Sequence, residues 1–190
     1  MGGLARCCIC PALAAIFAAS PCAAQVAAPP PATQTPPTVV PRVLDRATPD
    51  NTSLAVSLGT QRARLLVAGE VAIDTPVSTG KRRAPTAAGE YTVAEKLPEH
   101  RSNLYGDFVD REGRAVRSGV STRIDAAPSG TVFRIAPAQF YLRLSPGGPA
   151  LHAGRWPGYP AADGAVRLPA DIAPIVYRNV KPGTPVKIGE

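Results

Sequence analysis

The chain has 190 residues, 45% of them hydrophobic and 18% charged, with a formal charge of +7. That length and balance suit one domain with its own core, and they exclude a polar disordered chain. The excesses lie in basic charge and in proline, which occurs 22 times.

Residues 1–24 read as a secretory leader: Arg6 supplies a positive start, Ala12 to Ala19 a short apolar run, and small residues follow up to Ala24. The run falls short of the roughly 20 residues a membrane helix needs, and no later stretch approaches that length, so no membrane span is expected. All four cysteines, Cys7, Cys8, Cys10 and Cys22, fall inside this leader. The exported chain would then carry neither a disulfide framework nor a catalytic thiol. Removing Arg6 with the leader leaves 20 basic against 14 acidic residues, a charge of +6. Such a surface suits acidic polymers such as cell-wall glycans or lipid head groups, and equally a solvated surface with no specific partner.

Residues 25–50 hold seven prolines in 26 positions. Proline lacks a backbone donor and fixes its own φ, so this segment is expected to be an extended, disordered tether. The folded domain is expected over 51–190, and its first half is written in strands. Leu54, Val56 and Leu58 alternate with Ala55 and Ser57, Gly59-Thr60 marks a turn, and Ala63, Leu65 and Val67 alternate with Arg62 and Arg64. Val71, Ile73 and Val77 continue a third strand, and Gly89 to Val93 reads as a fourth. From His100 to Pro137 the pattern is a polar loop around a short strand or hairpin, with Arg111 to Arg114 as turn material. Gln139 to Leu144 alternates again and leads to Leu151-His152. Pro169 suits a first helical turn, and Ile172, Ile175, Val176 and Val180 share a helical face that ends at Lys181-Pro182-Gly183. Thr184 to Ile188 closes the chain as a strand.

The two histidines, His100 and His152, lie too far apart in sequence to suggest a zinc site, and there is no Gly-rich phosphate loop or nucleic-acid module. No cofactor, metal or nucleic-acid partner is expected.

One stretch carries chemistry: Leu151 to Leu168, LHAGRWPGYPAADGAVRL. It resembles the signature of the L,D-transpeptidase (YkuD-type) catalytic domain, in which a His precedes Ser/Thr-His-Gly-Cys, an apolar residue and usually Arg. His152, Gly164, Val166 and Arg167 match that signature. Ala162 stands at the Ser position, Asp163 at the second His, and Ala165 at the Cys. Val77 to Lys81, Ala84 to Thr86, Gly89 to Val93 and Gly183 to Ile188 resemble other family segments. The resemblance therefore covers roughly Leu54 to Ile188. It implies a mainly β fold, a twisted sandwich or barrel with one C-terminal helix, located in the periplasm or cell envelope and acting on peptidoglycan stem peptides.

In the family the Cys thiolate attacks the donor carbonyl after an imidazole takes its proton, and backbone N–H groups hold the oxyanion. By resemblance His152 and the Gly164-Ala165 backbone keep those auxiliary roles, and Arg167 orients a carbonyl or carboxylate. The same resemblance implies that His100, Ser102 and Tyr105 border the substrate cleft; read from the residues alone, His100 and Tyr105 equally serve to close a surface loop. A methyl group at position 165 cannot attack a carbonyl. The expectation is therefore an impaired homologue that keeps a stem-peptide groove. An active acyltransferase with another nucleophile stays open beside it, through Asp163, although carboxylates attack amides poorly, or through Ser145 or Thr184 if the fold brings them near His152, as does an envelope interaction domain with no ligand in the cleft.

Overall fold

The computed structural model describes residues 35–145 and 147–190. The expected leader and the first part of the tether lie outside the described residues.

Period-two alternation decides the first three long strands. In β2 (Thr52–Ser57) Thr52, Leu54 and Val56 are buried, and in β3 (Arg62–Val67) Ala63, Leu65 and Val67 are. Successive strand side chains point to opposite faces, so this spacing gives one core face and one wet face. The two strands form the expected hairpin with Leu54 opposite Leu65, and β4 (Glu70–Pro76) pairs onward with Ile73 opposite Leu65. A register slip between Leu65 and Leu66 inserts Ala72 as an extra residue, and Ala72 and Ile73 are both fully buried.

The tether expectation fails over its C-terminal part. β1 (Thr38–Val39) pairs with β4, and α1 (Pro41–Leu44) drives Val43 into the core. Proline content pointed to an open chain, but Val39, Val40, Val43 and Leu44 form an apolar cluster, and Pro41 fits the first turn of a helix.

β5 (Gly89–His100) is longer than the fourth strand read from the sequence. It is followed by a separate antiparallel sheet of β6 (Tyr105–Val109), β7 (Ala115–Ser121) and β8 (Val132–Ile135), in the order β7-β6-β8. The hairpin between β6 and β7 turns at Asp110, whose carboxylate accepts from the Glu112 and Arg114 amides at 3.0 and 2.8 Å. β8 is the strand that a loop-and-hairpin reading leaves out.

β9 (Ala138–Ser145), β10 (Ala150–Ala153) and β11 (Val166–Leu168) then form one end of the main sheet. α2 spans Ala173–Asn179 and starts later than Pro169, because Pro169 to Ile172 form a turn in which the Pro169 carbonyl accepts from Ile172 and Ala173. Seven residues make a marginal helix alone. Burial of Ile172, Ala173, Val176 and Val180 holds it, as does Lys96 from β5, which donates to the Val180 carbonyl at 2.5 Å.

β12 (Pro185–Gly189) returns to the middle of the sheet, parallel to β2 and antiparallel to β5. The nine strands run β1-β4-β3-β2-β12-β5-β9-β10-β11. The chain leaving β4 meets β11 at the far end: Ser78 and Arg167 exchange backbone hydrogen bonds of 3.0 and 2.9 Å. This seam curls the sheet toward a barrel around a single core that joins Leu65 and Ile73 to Leu142, Leu151 and Val166. The mainly β fold with a C-terminal helix is as expected. Each fully buried Leu or Val of that core contributes roughly 1.5–3 kcal/mol.

Candidate functional site

The site follows from the same alternation at the end of the sheet. In β9, β10 and β11 the residues Leu142, Leu151, Val166 and Leu168 face the core. Their neighbours Tyr141, His152 and Arg167 must then face the other way. Leu142 pairs with Leu151 and His152 with Arg167, so these three side chains form a row across three strands. The backbone of Phe140 takes φ +53, a conformation costly for an aromatic residue, and its ring packs edge-on against Tyr177 of α2. Tyr141 beside it stacks on His100 at 4.3 Å between ring centroids and lies 6.4 Å from the His152 ring.

Opposite this row stand β6 and β7 of the small sheet, and a cavity of about 980 Å³ lies between the walls. His100, Tyr105 and Ser102 line one side of it, and Tyr105 is 42% exposed at its mouth. His152, Asp163, Gly164, Ala165 and Arg167 line the other. His100, Ser102, Tyr105, His152, Asp163, Gly164, Ala165 and Arg167 therefore border one cavity. Ala162 does not: it is fully buried, and its backbone pairs with the segment Thr79 to Lys81. The two substitute hydroxyls are also elsewhere. Ser145 Oγ is 3.0 Å from Thr92 Oγ1, and Thr184 Oγ1 accepts from the Lys181 amide at 3.0 Å. A smaller hollow of about 590 Å³ between β2, β5 and β12 holds none of the motif residues.

His152 Nδ1 lies 2.8 Å from the Ala153 carbonyl oxygen. A carbonyl only accepts, so Nδ1 carries the proton and Nε2 keeps the lone pair. Burial pushes the imidazole pKa below its ordinary value, Arg167 and His100 push the same way, and the Ala153 bond opposes them. The ring is thus neutral at pH 7 and equipped to accept a proton.

Asp163 is 94% buried by side chain, and its Oδ1 lies 2.6 Å from Lys81 Nζ. The contact is an ion pair without hydrogen-bond alignment, since Oδ1 has no aligned donor among the described residues. The position that the resemblance assigns to a second imidazole holds a salt bridge instead. Thr86 fixes the adjoining turn: its Oγ1 accepts from the Gly80 amide at 2.8 Å and lies 3.0 and 3.1 Å from the Gly164 and Ala165 carbonyl oxygens. Gly80 must lack a side chain, because a Cβ there would sit 2.3 Å from the Ala84 carbonyl oxygen. In the sequence Lys81 and Thr86 stand in family-like segments that give them no role. Their contacts to 163–165 arise only when the seam beside β11 forms.

Arg167 runs its stem over Gly154, where a Cβ would come within 3.1 Å of it, and brings its guanidinium beside Gly119 of β7. Burial lowers its pKa, and Asp163 and Asp107 act against that at longer range. It has no ion-pair or hydrogen-bond partner for its side chain among the described residues. Among the same residues no group of three or more His, Cys, Asp or Glu is placed to hold a metal, and no helix is long and apolar enough to cross a membrane.

A curled β sheet thus carries a histidine, a guanidinium unpaired among the described residues and a turn of backbone on one cavity wall. The fold is similar to an L,D-transpeptidase from Mycobacterium smegmatis, with 21% identity, a TM-score of 0.54, and 73% of this chain and 58% of that chain covered. It is similar also to Mycobacterium tuberculosis L,D-transpeptidase 1, with 18% identity and a TM-score of 0.51 over 73% of this chain and 63% of that one. A third similar structure is an L,D-transpeptidase in complex with imipenem, with 20% identity, a TM-score of 0.55, and 73% and 58% covered. The chain thus spans about three fifths of the length of these structures. The family model for the L,D-transpeptidase catalytic domain, YkuD, matches residues 51–188, and the chain belongs to that family. Among curated proteins none matches the sequence.

Proposed function

We propose that this is an exported cell-envelope protein that binds peptidoglycan stem peptides in the cavity without transferring them. The family acts on peptidoglycan peptides, and the observation that carries the reading is at position 165. His152, the Gly164 turn and Arg167 all border the cavity, but the residue between the turn and Arg167 on that wall is Ala165. The base and the amide donors are kept while the atom that would form the acyl bond is missing.

The test has two arms. Intact-mass spectrometry after imipenem exposure should find no adduct, and no 3,3-crosslinks should form from tetrapeptide stems. Titration with soluble muropeptides, followed through the single tryptophan, Trp156 in the loop before the motif turn, should give saturable binding. Arg167→Ala should weaken that binding more than Lys187→Ala on β12. An adduct mapped to Ser102 or Ser118, the serines on the cavity wall, would replace this reading with an active acyltransferase. Absence of muropeptide binding would leave an interaction domain.

A further inference from the structure

One residue of β9 has a backbone that its side chain disfavours. Phe140 takes φ +53, the left-handed region that bulky residues rarely adopt, and it does so inside a strand. Backbone strain of this kind persists where the surrounding packing over-determines it, and it gathers at binding and active sites. Here the packing comes from α2. The Phe140 ring meets Tyr177 edge-on at 5.7 Å, and Lys96 places its ammonium 4.5 Å over the Tyr177 ring while donating to the Val180 carbonyl. Across the strand pair, between the partners Leu97–Tyr141 and Glu99–Gln139, stands Pro98 of β5. Proline has no N–H to give, so the ladder loses no donor there when Phe140 leaves strand geometry.

The departure changes what Tyr141 can reach. Tyr141 pairs with Leu97, and Ala138 pairs with His100. His100 is thus three residues beyond the partner of Tyr141, an odd step, and unbroken alternation would turn its side chain to the opposite face. The two rings nevertheless stack at 4.3 Å with their planes 24° apart. Phe140 lies between the two pairs, and its left-handed backbone is the break in alternation that lets them meet. On the other side the β9–β10 ladder stops at Leu142 opposite Leu151, one step short of Tyr141 and His152. These two residues meet through their rings, 6.4 Å apart with planes 23° from parallel, within the range of an offset aromatic pair. One tyrosine on the middle strand is therefore the shared neighbour of both imidazoles.

We propose that Tyr141 is a positioning residue for His152, aimed by the left-handed backbone of Phe140. Its ring keeps the imidazole in the orientation in which Nδ1 meets the Ala153 carbonyl at 2.8 Å and Nε2 stays free. His100 backs the far side of the Tyr141 ring, and α2, through Tyr177, holds the strand residue that aims it. The helix and the cavity wall are thereby linked through two consecutive residues of β9. The positioning does not depend on which ligand the cavity takes.

The chain has only two histidines, so 15N NMR of the histidine-labelled full chain at neutral pH reads each imidazole separately, with backbone amide spectra as the check on folding. His152 should show one tautomer, protonated at Nδ1. Tyr141→Phe should keep that signature. Tyr141→Leu, similar in bulk but without a ring, should give a mixture of both tautomers at His152 and shift the His100 signals as well. Arg167, the cross-strand neighbour of His152 on β11, is common to all variants. Phe140→Gly, which accepts positive φ freely, should keep the single tautomer, and Phe140→Val, which does not, should lose it. A single tautomer in folded Tyr141→Leu, or its loss in Tyr141→Phe, would overturn the positioning role. Equal behaviour of Phe140→Gly and Phe140→Val would overturn the aiming by Phe140. If Tyr141→Leu fails to fold, Tyr141→Phe and the Phe140 pair still decide. Muropeptide binding is not the readout, so a negative result here leaves the stem-peptide reading standing.

Discussion

Asp163 sits two residues before Ala165, the position to which the resemblance assigns the family's thiol, and the Lys81 ammonium 2.6 Å away balances its charge. A thiol introduced by Ala165→Cys therefore meets an ion pair and not a bare carboxylate. Adding Asp163→His removes the anion and leaves Lys81 without its partner. A nearby cation favours a thiolate and a nearby anion disfavours it. The double variant should have the lower thiol pKa, by about one unit, which is roughly tenfold in thiolate fraction below that pKa. Adding Lys81→Gln to the double variant should take back part of the gain. Iodoacetamide alkylation followed against pH checks the order. Identical profiles in all three variants would mean that positions 81 and 163 do not face the thiol. The motif residues on this wall were legible in the sequence because one strand and one turn carry most of them. Lys81 and Thr86 come from about 80 residues earlier, and no local pattern announces a contact of that kind.

The small sheet forms one wall of the cavity, and a single carboxylate ties it to the loop that carries Lys81 and Thr86. Asp125 accepts from the Ser121 amide and from Arg117, both at 2.8 Å, and from Arg83 at 3.2 Å. The Ser121 bond holds its pKa below the ordinary carboxylate value, burial opposes that, and Arg83 and Arg117 add to the lowering. With the folded value depressed, the anchor is complete above the ordinary pKa of about 3.9 and is lost as pH falls through the lower folded value. Asp125→Asn should remove about 1–3 kcal/mol of protection at neutral pH. Amide hydrogen exchange at Phe108 and Val120 reads this, and the acid-induced loss of protection seen in the natural chain should be smaller in the variant. Unchanged exchange at neutral pH would show that Asp125 does not anchor the sheet. The three hairpin strands from Thr52 to Pro76 were legible as alternation. β5 was legible only in part, because its pairing with β9 slips between Val93 and Glu95 and Pro98 and charged residues fill its second half. β8 was missed because four residues between turns give too short a pattern.

At the scale of the whole molecule the last strand is the keystone. β12 lies between β2 and β5, with Val186 and Ile188 1% and 2% exposed. Deleting Thr184 to Glu190 would separate the first hairpins from the strands that carry His152 and Arg167, and cooperative thermal unfolding should disappear. The milder Ile188→Ala should cost about 2–5 kcal/mol and keep one transition. Circular dichroism melts distinguish the two, and a truncated chain that still melts cooperatively would refute the keystone role. The seam between Ser78 and Arg167 has a different kind of consequence. It uses only backbone atoms, so the barrel closes whatever side chain stands at 167, and position 165, on the cavity wall, adds nothing to the apolar interior. Closure of the sheet and the identity of the side chain at 165 are thus separable, and the architecture tolerates change at that position.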